Sequence, residues 1–237
     1  MSKDFILAAS KVSDGNMSFN WGPADEVVNN RQKFLAKHGL KPEDCVVMAV
    51  DHTDAVVVVD ANNKPKTESD TVKAEALITK EKGLALFLLT GDCLPIALHD
   101  PVKEVIALAH LGWKPTNLRL IVKVIKQLQQ QFGSKPENIL AFVGPGVKKE
   151  SYVFKDPIQK TLPGWAPFLT DLLSGETQID SVGYNKAQML EAGLLEQNIT
   201  IDPTDTITSP DHFSHYRSVR TSEPEGRFIT VVVLKKN

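Results

Sequence analysis

The stretch 84-LALFLLTGDCLPIALHDPVKEVIALAHLGW-113 contains three short apolar runs that are separated by turn-forming residues. The first run ends at Gly91-Asp92, the second ends at Asp100-Pro101, and the third leads into His110. Continuous apolar runs bounded by glycine, aspartate and proline are typical of strands that are buried on both faces. The stretch therefore predicts three consecutive strands within residues 84–109.

Outside this stretch, strands and helices alternate and no linker divides the chain. Residues 25–38 have helical spacing, and Gly39 would stop that helix. Residues 61–73 are polar and include Pro65, which indicates a loop and a candidate cover for a site. We expect a single α+β domain over residues 1–237. The remaining predicted elements are strands at 46–50, 55–59, 139–143 and 228–234, a helix from Thr116 or Asn117 to Gly133, and a helix at 185–196.

Composition limits the classes of protein to which the chain can belong. It has 237 residues, of which 42% are hydrophobic and 24% charged, and a formal net charge of −2. These values are ordinary for a globular protein and argue against a nucleic-acid-binding surface. The apolar stretch at 5–9 is too short for a signal peptide, and no stretch approaches the roughly 20 apolar residues that span a bilayer. With only two cysteines, Cys45 and Cys93, a disulfide framework is not expected, and we expect a cytoplasmic protein without a membrane partner.

Two histidines and one cysteine follow or end apolar runs that are predicted as strands. They are His52, Cys93 and His110. A thiolate with two imidazoles suits Zn²⁺ and leaves a fourth position open. The spacing matches no short zinc motif, so a buried free cysteine near unrelated histidines stays open as an alternative. Cys93 and His110 without metal are also a candidate nucleophile and base, although His52 then has no role.

The turn after His110 is a candidate anion site. His110-Leu111-Gly112-Trp113 directly precedes a predicted helix, whose positive end favours phosphate, and Lys114 adds a charge there. The alternative is that Gly112 only makes a turn and Trp113 only packs in the core. Asp92 is either an exposed carboxylate at a strand end or a partner that orients an imidazole.

Several stretches resemble a known family. They occur in the family's order and span most of the chain: Asn29-Asn30-Arg31, His52-Thr53-Asp54, 74-AEALIT-79, Thr90-Gly91-Asp92-Cys93, 110-HLGW-113, 143-VGPG-146 with Tyr152, 213-FSHYR-217 and Gly226-Arg227. The chain is similar to the YfiH-like, or laccase-domain, family, which includes multicopper polyphenol oxidases and purine nucleoside phosphorylases. The resemblance implies a mixed β-sheet sandwich flanked by helices, with zinc bound by His52, Cys93 and His110.

The resemblance also implies a small-molecule substrate and a reaction. It indicates a zinc-dependent enzyme that cleaves adenosine- or inosine-type purine nucleosides with phosphate and, as a second activity, deaminates adenosine. The metal ligands His52, Cys93 and His110 would then be the catalytic residues. The cations assigned to substrate and phosphate are Arg31, Lys114 and Arg217.

This chain departs from the family pattern at several positions. It has Gly91 where the family usually has alanine, Lys114-Pro115 in place of Arg-Gly, and one arginine fewer near Tyr216. Three alternatives therefore stay open: a metal-independent Cys-His hydrolase, a copper-dependent polyphenol oxidase, and a metal-binding protein whose substrate site is altered or lost. Copper in a blue site usually takes an axial methionine, and Met48 is the nearest in sequence. The oligomeric state is left open by the sequence.

Overall fold

The computed structural model describes residues 4–65 and 70–236, and two large sheets stacked face to face dominate it. A long helix packs on the outer face of each large sheet. The α-helices are α1 Ala24–Lys37, α2 Trp113–Asn117, α3 Leu120–Phe132, α4 Ser181–Glu191 and α5 His215–Ser218. The strands are β1 Phe5–Ala9, β2 Cys45–Ala49, β3 Val56–Val58, β4 Val72–Lys73, β5 Ala76–Thr79, β6 Ala85–Thr90, β7 Leu94–Asp100, β8 Val105–Leu111, β9 Leu140–Val143, β10 Val153–Lys155, β11 Leu169–Asp171, β12 Glu176–Ile179, β13 Ile199–Ile201 and β14 Phe228–Leu234.

Both large sheets contain parallel and antiparallel pairs. One has the strand order β1-β14-β6-β2-β4, and the other has β13-β9-β7-β8-β5-β3. In the first, β14 runs antiparallel to β6 while β2 runs parallel to β6. In the second, β7 pairs antiparallel with β8 and β9, while β3 lies parallel to β5. The predicted α+β class with mixed sheets and flanking helices is confirmed.

The apolar runs are continuous because both faces of each sheet are covered. Leu86 and Leu88 of β6 face the layer between the sheets, together with Leu108 of β8. Phe87, on the other face of β6, packs near Phe34 of α1. Alternate residues of a strand point to opposite faces, so a strand covered on both sides needs apolar residues at every position. Truncating one of these leucines to alanine would cost about 2–5 kcal/mol.

Helix α3 covers the outer face of the six-stranded sheet. Its residues Ile121, Ile125 and Leu128 are fully buried. Gly133 ends the helix in the left-handed region at φ 66°, as its position in the sequence predicts. The predicted start at Thr116 or Asn117 is wrong, because two helices occupy this segment and meet at Arg119, whose φ is 58°.

Several other boundaries differ from the sequence-based expectation. Helix α4 begins at Ser181, capped by the Asp180 carboxylate, and ends at Glu191, earlier at both ends than predicted. The predicted loop at 61–73 contains β4, and its residues 66–69 lie outside the described part of the chain. A third sheet, β10-β12-β11, was not predicted. Across residues 4–65 and 70–236, no helix is long and apolar enough to cross a membrane.

Candidate metal centre

His52, Cys93 and His110 converge at one end of the layer between the sheets. Their ligand atoms all lie within 4.8 Å of one another. His110 is on β8, two residues after Leu108, so its ring points into the same layer. Cys93 lies in the turn between β6 and β7, and His52 follows β2 in the left-handed region at φ 56°. The strand ends therefore assemble a cluster whose members are far apart in the sequence.

A buried carboxylate that the sequence reasoning missed holds this cluster in place. Glu75 is fully buried, and its Oε2 lies 2.7 Å from Nδ1 of His110. Its Oε1 accepts the backbone N–H of Asp51, directly before His52, at 2.5 Å. One carboxylate thus fixes a ring and the turn that carries a second ligand. The available signal was a single acidic residue inside the apolar run 74–78.

Glu75 leaves Nε2 of His110 free to face the other two ligand residues. A metal-binding histidine characteristically donates its second ring nitrogen to a carboxylate, which sets the tautomer and makes the ring more basic. The pair formed by His110 and Glu75 has this arrangement. In this respect the cluster differs from a chance meeting of a cysteine with two histidines.

The charges within the cluster favour a thiolate. Burial opposes ionisation of Cys93, but the charge of His110 and hydrogen bonds from both histidines lower the pKa of the thiol to about 6. Burial likewise disfavours a charged His110, yet the neighbouring Cys93 and Glu75 raise its pKa to about 9. Burial raises the pKa of Glu75, while its hydrogen bond with His110 and that histidine's charge outweigh this and lower it. Without a cation, the cluster therefore holds a thiolate beside an imidazolium.

Gly112 leaves room beside the ligand atoms. Its φ is −77°, so its backbone conformation does not require glycine. A Cβ at this position would lie 3.0 Å from Sγ of Cys93 and 3.5 Å from Cδ2 of the His52 ring. The glycine therefore leaves the ligand atoms space that a larger residue would narrow, in addition to forming a turn. One thiolate, two imidazoles and a buried carboxylate behind one of them fit a zinc ion with an open position.

The ligand cluster lies in the wall of a cavity of about 570 Å³. Three aromatic side chains, Tyr152, Phe154 and Tyr216, form another part of that wall. They pack against one another, with Tyr152 and Tyr216 each edge-on to Phe154. A smaller cavity of about 80 Å³ also touches His52 and Cys93, and it is bounded by Gly112, Trp113 and Ser181. The larger cavity is within the volume range of small-molecule sites.

Asp92 is neither an exposed carboxylate nor a partner of an imidazole. Its side chain is only 8% exposed, and its φ is 131°. Oδ1 accepts the hydroxyl of Thr206 at 2.7 Å, and Oδ2 accepts the backbone N–H of Tyr216 at 2.7 Å. Both expectations for Asp92 are therefore wrong. It ties the turn that carries Cys93 to the segment that carries an aromatic wall of the cavity.

Arg217 is engaged in the scaffold. Its guanidinium donates to four backbone carbonyls and pairs with Glu223 at 2.5 Å. The carbonyls belong to Thr206, Ile207, Ser209 and His212. In this arrangement Arg217 stabilises the segment around Thr206, and it does not line the cavity beside the ligand cluster.

Arg31 and Lys114 also lie outside that cavity. Arg31 is buried, donates to the backbone carbonyl of Met17 at 2.9 Å, and lies over the ring of Phe19 at 4.4 Å. Lys114 is exposed, with Nζ 5.6 Å from the centre of the Trp113 ring. The structure therefore brings together the three predicted ligands but does not bring the three predicted cations to them.

The sequence matches a known family over nearly its whole length. The family described as multi-copper polyphenol oxidoreductase laccase matches residues 7–235. The chain belongs to this family. The resemblance carried by the dispersed motifs is confirmed, and so is the fold that it implies.

Relatives of this family member share its architecture. A purine nucleoside phosphorylase of Corynebacterium glutamicum is 30% identical over 232 residues, which cover 94% of this chain and 92% of the relative. The purine nucleoside phosphorylase YlmD of Bacillus subtilis is 26% identical over 220 residues, 89% of this chain and 78% of the relative. The crystal structure of the hypothetical protein YfiH of Bacillus licheniformis superimposes with a TM-score of 0.84 at 25% identity, covering 93% of this chain and 85% of that one.

Proposed function

We propose that this protein is a zinc-dependent purine nucleoside phosphorylase that acts on adenosine- or inosine-type nucleosides. The observation that carries the proposal is the cluster of His52, Cys93 and His110, backed by Glu75, in the wall of an aromatic-lined cavity. The names of the relatives support the reaction class. We also propose deamination of adenosine as a second activity at the same site. We propose a cytoplasmic location, since Cys45 and Cys93 are not joined in a disulfide.

Each side chain of the cluster has a definite task in this proposal. Cys93, His52 and His110 would hold the metal, and Glu75 keeps the His110 ring in the required orientation. Zinc bound there would supply a Lewis acid next to the substrate. The cations assigned to the substrate from the sequence are Arg31, Lys114 and Arg217, and these assignments stay hypotheses. The position of Arg217 in the fold makes it a support of the cavity wall.

The cavity suits a nucleoside. A purine is planar and aromatic, and stacking on aromatic side chains is worth about 1–3 kcal/mol per base. Tyr152, Phe154 and Tyr216 offer such surfaces. Burial, reinforced by the nearby Cys93, raises the pKa of Tyr152, so its hydroxyl stays protonated and is available as a hydrogen-bond donor. In phosphorolysis, a phosphate oxygen forms a bond to the anomeric carbon of the ribose while the bond to the purine nitrogen breaks.

A specific observation favours one alternative. Cys93, His110 and Glu75 form a thiol–imidazole–carboxylate series, which is the arrangement of a metal-independent cysteine hydrolase. His52 beside the thiol is the feature that this alternative leaves without a task. For copper, none of the residues that line the two cavities at the cluster is a methionine, and Met48 is buried between the sheets. A metal-binding protein without turnover is the remaining alternative.

The test is chromatography of adenosine and of inosine incubated with protein of known metal content, with and without phosphate. The free base appearing only with phosphate would support phosphorolysis, and inosine formed from adenosine without phosphate would support deamination. Activity that survives a chelator but is lost on thiol alkylation would favour the cysteine hydrolase. Bound metal with no turnover of either nucleoside would contradict the proposal. Cys93→Ala serves as the inactive control in every arm.

A further inference from the structure

Arg227 lies where two cavities meet. It lines the cavity that contains the ligand cluster, and it also lines a second cavity of about 520 Å³. The wall of this second cavity, here called the aromatic cleft, includes the half-exposed rings of Phe19 and Trp21. The two cavities share Val50, Leu89 and Arg227. Of these three, only Arg227 carries a charge.

The guanidinium of Arg227 is fixed along one side and free along the other. Its side chain is 22% exposed. Nη1 donates to the carboxylate of Glu225 and, at 2.6 Å, to the carbonyl of Gly226. In the described part of the chain, Nε and Nη2 have no hydrogen-bond partner. These two groups form the edge of a guanidinium whose parallel N–H bonds match two oxygens of a phosphate or carboxylate.

Gly91 allows Arg227 to lie close to the turn that carries Cys93. A Cβ at Gly91 would come within 3.0 Å of Cδ, 3.2 Å of Nη1 and 3.3 Å of Nε of Arg227. Contacts this short would require the arginine side chain to shift by a few tenths of an ångström. Gly91 is two residues before Cys93, so the same turn holds a metal ligand and provides the space for the arginine. The two residues form a matched pair at this wall of the cavity.

The other charged groups of the cavity are already engaged. Arg220 lies over the ring of Tyr216 at 3.5 Å and donates to the backbone carbonyl of that residue. The Asp92 carboxylate accepts bonds from Thr206 and Tyr216 on its two oxygens. Arg220 is exposed and has no ion pair in the described part of the chain, whereas Arg227 is partly buried, is held by Glu225 and lines both cavities. Arg227 is therefore the better-anchored cation of the two for a ligand in this cavity.

We propose that Arg227, seated against Gly91, binds the phosphate co-substrate through its Nε and Nη2 groups. The proposal rests on the proposed function for the identity of the anion. Glu225 holds the guanidinium in place along its opposite side, so little side-chain freedom is lost when phosphate binds. Phosphate at this place lies beside the ligand cluster in one direction and beside the aromatic cleft in the other.

The test is calorimetric titration of inorganic phosphate into the zinc-loaded protein, with adenosine 5′-monophosphate as a second probe. We expect Arg227→Gln to weaken phosphate binding about 10- to 100-fold, the usual effect of losing charge-assisted hydrogen bonds. Arg227→Lys should show a similar loss, because lysine keeps the charge but lacks the bidentate edge. Arg220→Gln removes the same charge from the same cavity, and we expect a change within about threefold.

Arg227→Lys also guards against the possibility that Arg227→Gln disturbs folding by breaking the pair with Glu225, because lysine keeps the positive charge of that pair.

Three results would overturn the proposal. The first is phosphate binding within threefold of the wild type in Arg227→Lys, the second is a larger loss in Arg220→Gln than in Arg227→Lys, and the third is tight binding of the monophosphate alone. Phosphorolysis assays separate this proposal from the proposed function. Phosphate binding that depends on Arg227, without turnover of any nucleoside, would support the anion site and contradict the proposed phosphorylase function. Nucleoside turnover with an unchanged KM for phosphate in Arg227→Lys would support the phosphorylase function and contradict the anion site at Arg227.

Discussion

Replacing Glu75 by glutamine should weaken zinc binding although Glu75 would not touch the metal. The carboxylate accepts Nδ1–H of His110 at 2.7 Å and the backbone N–H of Asp51 at 2.5 Å. Glutamine has the same shape but only one acceptor oxygen, so its amide N–H₂ must face one of these two donors. Either the His110 ring or the turn that carries His52 then loses its support.

The magnitude follows from this geometry. Removing a carboxylate partner of a metal-binding histidine costs about 10- to 100-fold in metal affinity, or about 1.4–2.7 kcal/mol. Glu75 is fully buried, so the unsatisfied donor also destabilises the metal-free protein by about 1–3 kcal/mol. We expect Glu75→Gln to lower both the zinc affinity and the free energy of unfolding of the metal-free protein. Saturating zinc would partly offset the loss of stability only if the metal still binds tightly.

The assay is competition for zinc against a chromophoric chelator, combined with urea unfolding of the metal-free protein. Glu191→Gln is the matched control, since Glu191 is exposed and its ion pair among the described residues is with Arg119 at the surface. Glu75→Asp keeps the charge but shortens the reach, so it should fall between the wild type and Glu75→Gln. The reasoning is refuted if folded Glu75→Gln binds zinc within twofold of the control.

Three further predictions follow from the same contacts. Gly112→Ala places a methyl group 3.0 Å from Sγ of Cys93, so the zinc affinity should fall roughly tenfold in the chelator assay. An unchanged affinity would show that the ligand cluster tolerates displacement. Arg217→Gln removes the bonds to four carbonyls and should lower the free energy of unfolding by about 2–4 kcal/mol; a raised nucleoside KM with full stability would instead support its role in substrate binding. Iodoacetamide should modify Cys93 in metal-stripped protein and zinc should protect it, whereas the modification of Cys45, read by peptide mapping, should not respond to zinc.

Regular elements with strong local patterns were predicted well. The final strand Phe228–Leu234 has the expected bounds, and the three strands within 84–109 form as β6, β7 and β8. These segments are buried on both faces, so their identity as strands depends little on which neighbour covers them. The helix predicted from Thr116 or Asn117 failed, because α2 begins directly after β8 and Thr116 is buried, accepting a bond from Asn185. A tertiary contact there replaces the local cap.

The sequence by itself determined the strands with continuous apolar runs, the existence of the long helices, the family and the three candidate ligands, because hydrophobic spacing and the chemistry of side chains are local properties. Only the tertiary structure decided how these parts serve a site. The order of strands in two sheets brings Glu75 to His110, and the left-handed backbone at His52 turns that ligand toward Cys93. Contacts between residues far apart in the chain also engage Arg217 in the scaffold and leave an edge of Arg227 free. These contacts depend on which backbone groups need hydrogen-bond partners in the folded chain, and local sequence patterns do not predict them.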